Sequence, residues 1–198
     1  GMETETADEI IAATSRALCK YGYADLTMQR IAEEASMTTA AIHYHFDTKA
    51  ELLNAFLDDL IDRFEARLAC DAEDPRERLE TLLDAVFTPS QNPNEFRVAL
   101  MEMRGQSPYQ DSFRERFLAL DEVMRSVVAT AVSDGIDAGH FEDADPDEVA
   151  RHVVTIINGA HVRAVALGED ANATRGIIER YLELQLGWAP ASGSEVVA

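Results

Sequence analysis

Apolar residues recur at intervals of three and four along almost the whole chain, the repeat of helices with one buried face. Ile10, Ile11, Thr14, Ala17 and Leu18 form one such stripe, which stops before Gly22. Ile31 with Ala35 marks a short second helix, and a third starts at Thr38. Leu52, Leu53, Phe56, Leu57, Leu60, Ile61, Phe64 and Leu68 mark a long fourth. Further helices are predicted over 75–88, 93–105, 108–138, 146–168 and 172–187, about nine in all. Hairpin signals are missing, since Asp134-Gly135 lies inside a helical pattern. The fold class predicted is therefore all-α.

Polar punctuation supports these boundaries. Asp74-Pro75-Arg76-Glu77, Asn92-Pro93-Asn94-Glu95, Ser107-Pro108-Tyr109-Gln110 and Asp145-Pro146-Asp147-Glu148 share one grammar. A capping oxygen is followed by proline at the first helical position, where no useful N–H is lost, and then by Glu or Gln two residues on. Thr48-Lys49-Ala50-Glu51 is a capping box without proline. The last stretch, 189–198, is small and polar and is expected to fray.

Residues 27–45 carry the most specific motif, a helix-turn-helix. Thr27 can cap a helix running to Ala35, with Ala32 small where two helices cross. Ser36 and Met37 make the turn, and Met37 plugs the core. Thr38 caps a second short helix anchored by Ile42. The exposed positions of that helix would be Thr38, Thr39, Ala40, His43, Tyr44 and His45. Threonine and alanine methyls suit thymine methyls, and the hydroxyls can bond base edges or phosphates in a major groove. Lys49, opening the next helix, is placed for a phosphate.

The stretch from Ile10 to Phe56 resembles the TetR family of one-component transcriptional regulators. The matching residues are Ile11-Ala12-Ala13, Tyr21-Gly22-Tyr23, Leu26-Thr27, Ile31-Ala32-Glu33-Glu34-Ala35 and the run from Ile42 to Leu53, His-Phe-Asp-Thr-Lys included. Two positions depart from the family pattern. Ser36 stands where glycine is usual, at a cost of ~1 kcal/mol for a left-handed backbone. His43 stands where the family usually has a phosphate-binding tyrosine.

The resemblance implies a DNA-binding domain over 2–47, a ligand-binding and dimerisation domain over 48–188, and a flexible tail over 189–198. Gly1 ahead of Met2 reads as an expression remnant. It also implies a homodimer on a double-stranded DNA operator, a repressor released by a small effector. Thr27, Thr38, Thr39, Ala40, His43, Tyr44, His45 and Lys49 would then face DNA. The last two helices would pair with those of a second subunit through Val153, Ile156, Ile157, Ala160, Ile178, Tyr181 and Leu182. These same residues would equally suit burial within one subunit. In the body, Phe96, Met103, Phe117, Asn158 and Arg163 are candidate pocket residues for a hydrophobic or amphipathic effector.

Other chemistry is not expected. His43 and His45 are two residues apart, so they do not share a helix face and do not suit a metal. The acidic run from Glu142 to Glu148 breaks the EF-hand pattern and reads as a solvated cap. His152 and His161 read as core or interface histidines. No nucleophile–base pair, phosphate loop or cofactor motif is present, so no enzyme and no cofactor is predicted.

Composition changes one part of this picture. The chain has 198 residues, 46% of them hydrophobic, enough for a sizeable core. No apolar run is long enough to span a membrane and no apolar leader is visible, so a cytoplasmic protein is expected. Cys19 and Cys70 make no disulfide framework. The 37 acidic side chains against 17 basic ones leave a net charge of −20, and only Lys20 and Lys49 are lysines. Taken alone, that charge argues against a nucleic-acid partner. Residues 1–50 hold four basic and eight acidic side chains, so even the head lacks long-range attraction for phosphate.

This composition resembles that of proteins from extreme halophiles. At about 1 M salt the Debye length falls to roughly 3 Å, and remote acidic charge ceases to matter. The alternative function is a helical ligand-binding or protein-interaction module that has lost DNA binding, which Ser36, His43 and the acidic head would suit.

Overall fold

The computed structural model describes residues 1–69, 72–87 and 94–190. Among them are nine α-helices and no strands. They are α1 (Met2–Tyr21), α2 (Met28–Ala35), α3 (Thr39–His45), α4 (Lys49–Leu68), α5 (Pro75–Phe87), α6 (Asn94–Gln106), α7 (Asp111–Asp137), α8 (Pro146–Leu167) and α9 (Ala171–Leu186). The expected all-α architecture with an N-terminal helix-turn-helix is what the chain adopts.

The chain forms two compact units. The first comprises 1–63 and 91–118, the second 64–90 and 119–198. In the first, α1 packs on α2 and α6, and α2 on α3. Its core takes Ile10, Ala17 and Leu18 from α1, Ile31 from α2, Ile42 from α3, Leu52 and Phe56 from α4, Met103 from α6 and Phe113 from α7. Phe56 and Phe96 meet edge to face at 6.0 Å. Arg116 ties α7 to α4 through the Asp58 carboxylate (2.9 Å) and the Asn54 carbonyl (3.1 Å).

In the second unit α8 packs on α9 and α9 on α5. Val153, Ile157, Ile178, Leu182 and Trp188 are all essentially without solvent exposure. The Trp188 indole donates to the Arg76 carbonyl (3.4 Å), closing the chain's last turn onto α5. Phe141 lies so close to Gly135 that a β-carbon there would collide with its ring. That is why an Asp-Gly pair stands inside α7: the missing side chain admits the aromatic ring.

Most helix starts follow the expected capping chemistry. Asp74 accepts from the Arg76 N–H (2.9 Å), and Asp145 from the Asp147 N–H (3.0 Å). The Asn92-Pro93 start and Cys70 lie outside the described residues, as do the tail residues after Pro190. Ser107-Pro108 departs from the pattern. The turn after α6 continues there through Ser107 N–H to Arg104 (3.1 Å) and Tyr109 N–H to Gln106 (2.9 Å), and α7 begins only at Asp111. A proline in that sequence is equally at home inside a tight turn.

Candidate nucleic-acid interface

Local chemistry builds the helix-turn-helix. The Thr27 hydroxyl accepts from the Arg30 N–H (3.2 Å) and starts α2. Ser36 ends it in the left-handed region, at φ 54° and ψ 41°. It is the only non-glycine residue with positive φ among the described residues. The Met37 N–H returns to the Ala32 carbonyl (2.9 Å) and closes the turn. The Thr38 hydroxyl then accepts from the Ala41 N–H (3.1 Å) and starts α3. Ile42, fully buried, anchors α3 to the core.

The opposite face of α3 is open. Thr38, Thr39, Ala40, His43 and Tyr44 are exposed, with Tyr44 at 75%. His45 is half-buried and sits edge-on to the Tyr44 ring at 5.1 Å. One nitrogen of His43, Nδ1, lies 3.1 Å from the Asp47 carbonyl, which can only accept in such a contact. Thr48 caps α4 through the Glu51 N–H (3.1 Å), but Glu51 reaches back to the Asp47 N–H (3.0 Å) rather than to Thr48.

Lys49 departs from the expected free phosphate ligand. Its ammonium is half-buried, donates to the Leu26 carbonyl (3.1 Å) and lies 5.8 Å from the Tyr23 ring centre. A carbonyl brought near by the fold, 23 residues away in sequence, holds the group inward.

The other cations of residues 1–50 are similarly engaged. Arg16 and Lys20 both meet Glu34, and Arg30 donates to the Asp25 carbonyl (2.7 Å) while lying over the Tyr21 ring. The Glu34 carboxylate keeps the Lys20 ammonium protonated to higher pH than usual. The Cys19 thiol is pushed up by burial and then by Glu95, so it is not an activated thiolate.

The residues expected at a subunit interface are placed differently. Val153, Ile157, Ala160, Ile178 and Leu182 are buried in the core of the second unit. Ile156 and Tyr181 pack half-buried against that core. Atoms already enclosed within one chain have little left to offer a second. The outward face of α8 instead carries His152, Thr155, Gly159, Val162 and Ala166, and that of α9 carries Ala173, Ile177, Arg180 and Leu184, with Gly187 just past its end. These ten positions alternate by three and four residues, the heptad spacing of a helix seam.

The candidate effector residues are also not free-standing. Phe96 and Met103 are buried in the first unit's core, and the Arg104 guanidinium lies 5.5 Å from the centre of the half-buried Phe117 ring. In the second unit Asn158 is half-buried, while Arg163 is exposed and held by Glu169 at 2.6 and 2.7 Å. No cluster of potential metal ligands occurs among the described residues. No described helix is long and apolar enough to cross a membrane.

A helix-turn-helix with an open second helix, at the head of an all-α chain, defines a DNA-binding regulator. Two family models match this chain: bacterial regulatory proteins of the tetR family over 10–56, and the C-terminal region of the BetI-type transcriptional repressors over 75–187. The chain belongs to the TetR family of transcriptional regulators, in its BetI-type branch. It is 28% identical to the HTH-type transcriptional regulator BetI of Ectopseudomonas mendocina, over 96% of this chain and 97% of that one. A TetR transcription regulator from Haloarcula marismortui matches with a TM-score of 0.88 and 43% identity, over 92% of this chain and 99% of that one. A transcriptional regulator from Saccharomonospora viridis, solved in complex with choline, matches with a TM-score of 0.80 and 25% identity, over 92% and 98%. The relatives are transcriptional regulators, and the protein is not an enzyme.

Proposed function

We propose that the protein is a homodimeric repressor that binds operator DNA through α3 and is released by a small cationic effector of the quaternary ammonium class. The observation that carries the DNA contact is the open face of α3, on a short helix capped by Thr38 and anchored by Ile42. Thr38, Thr39, Ala40, His43 and Tyr44 supply hydroxyls, a methyl and an imidazole there, with His45 alongside and Thr27 at the start of α2. Lys49 acts mainly by holding the loop at Leu26 in place.

The dimer rests on the heptad seam of α8 and α9. Gly159, on that seam, sits within α8 with no described atom within 4 Å of where a β-carbon would go. A glycine inside a helix costs about 1 kcal/mol relative to alanine. The close approach of a second copy would return that cost.

Support for a quaternary ammonium effector comes from the BetI-type match over 75–187 and from the choline-bound relative. The acidic composition further supports operation at high salt, in line with the relative from Haloarcula marismortui. The test is fluorescence anisotropy of a duplex carrying the DNA upstream of the protein's own gene, titrated with choline. Loss of the complex on adding choline supports the reading. A complex unmoved by choline, together with an unmoved melting temperature, refutes the effector class.

A further inference from the structure

The hydroxyl of Tyr44, a side chain 75% exposed on α3, is already in use. It donates to a carboxylate oxygen of Glu3, in the first turn of α1, at 3.3 Å. A phosphate oxygen would have to take the same proton from the same hydroxyl. The carboxylate would also stand beside that phosphate with like charge. The cations that usually offset such repulsion are committed elsewhere in residues 1–50: Arg16 and Lys20 to Glu34, Arg30 to the Asp25 carbonyl, Lys49 to the Leu26 carbonyl.

We propose that Glu3 is a built-in competitor of the DNA phosphate for the Tyr44 hydroxyl, so that operator binding requires this contact to open and strengthens as salt first rises. The proposal rests on α3 being the DNA-reading helix. An ordinary DNA-binding protein releases cations from the phosphates its lysines and arginines neutralise, and its affinity falls as salt rises. Here few cations are available to neutralise phosphate. Salt cations must instead gather between Glu3 and the backbone as the complex forms. Mass action then favours the complex as their concentration increases. The same device lets ionic conditions set occupancy of the operator without any change in the effector.

The experiment measures affinity for the upstream duplex from about 0.1 to about 2 M KCl. It compares the wild type with Glu3→Gln, Tyr44→Phe and the double variant. Glutamine keeps the length of the side chain and replaces the charged acceptor with the weaker neutral amide oxygen, and thermal melts confirm that each variant is folded. Wild-type affinity should rise as salt first increases, and an affinity that falls or stays level from the lowest salt overturns the proposal. Glu3→Gln should bind roughly 3- to 10-fold tighter at low salt, about 0.7–1.4 kcal/mol, and converge with wild type at high salt. Tyr44→Phe should reduce that gain, because the contested hydroxyl is gone and only the repulsion between Glu3 and the phosphate remains. Equal affinity of wild type and Glu3→Gln at every salt overturns the proposal alone. So does an equal gain in the Tyr44→Phe background, since charge would then act at a distance. No complex from either protein at any salt removes the operator reading and the proposal with it.

Discussion

Ser36 carries the strictest backbone demand in the helix-turn-helix. Its φ of 54° places a β-carbon where glycine is at ease, at a cost of about 1 kcal/mol. Ser36→Gly should therefore raise stability by about 0.5–1 kcal/mol, which in a chain of this size raises Tm by about 1–4 °C. A lower Tm would mean that the serine side chain contributes something the backbone argument omits. Thr38→Ala removes the hydroxyl that starts α3 and should cost about 1 kcal/mol in thermal melts. Tyr44→Ala, at a side chain 75% exposed, should leave the melt almost unmoved. Both threonine caps were legible in the sequence because a cap is decided within three residues. The inward turn of Lys49 was not, because its carbonyl partner comes from Leu26.

At the scale of the helices, identical local grammar had two outcomes. Asp74-Pro75 opens α5, whereas Ser107-Pro108 lies in a turn that continues α6. The difference comes from what precedes each proline, and a four-residue pattern does not contain it. Gly135 is the converse case: an apparent turn signal is a packing device for Phe141. Gly135→Ala should destabilise the second unit by about 1–3 kcal/mol, the usual cost of overpacking, despite alanine's better helix propensity. An unchanged or raised melting temperature would contradict that packing.

The α5 cap also has a pH signature. Hydrogen bonding from the Arg76 guanidinium holds the Asp74 carboxyl below the usual carboxylate range. A carboxyl with a depressed folded pKa stabilises the fold above its unfolded pKa, near 3.9, and that contribution is lost as pH falls through the lower folded value. Glu169, lowered by Arg163, follows the same sign. Both pairs are exposed, so the effect is small. The gap in melting temperature between wild type and Asp74→Asn should be largest near neutral pH and narrow as pH approaches 3. A gap that widens on acidification would refute the assignment.

At the scale of the whole molecule, the helical class, the head motif and the family were legible in the chain because caps, spacing and the Ile42–Leu53 run are local and specific. The exposed face of α8 and α9 that we propose as the dimer seam was not, because hydrophobicity marks a chain's own core first. Val153, Ile157 and Ile178 are more apolar than His152, Thr155 and Gly159, and they fill the second unit. Val162→Asp with Ile177→Asp should therefore turn a dimer into a monomer in sedimentation equilibrium, since both side chains are exposed in one chain. A dimer that survives both charges would place the interface elsewhere. The net charge of −20 should make the protein more stable in molar KCl than in dilute buffer.

The central claim is that α3 reads DNA, and footprinting on the DNA upstream of the protein's own gene tests it most directly. In KCl raised towards molar, the wild type should protect two half-sites related by a two-fold axis, about one helical turn apart or a multiple of it. Thr39→Ala with Tyr44→Ala should lose that protection while melting as the wild type does. Protection unchanged in the double variant, or no protection by the folded wild type at any salt, would contradict the claim.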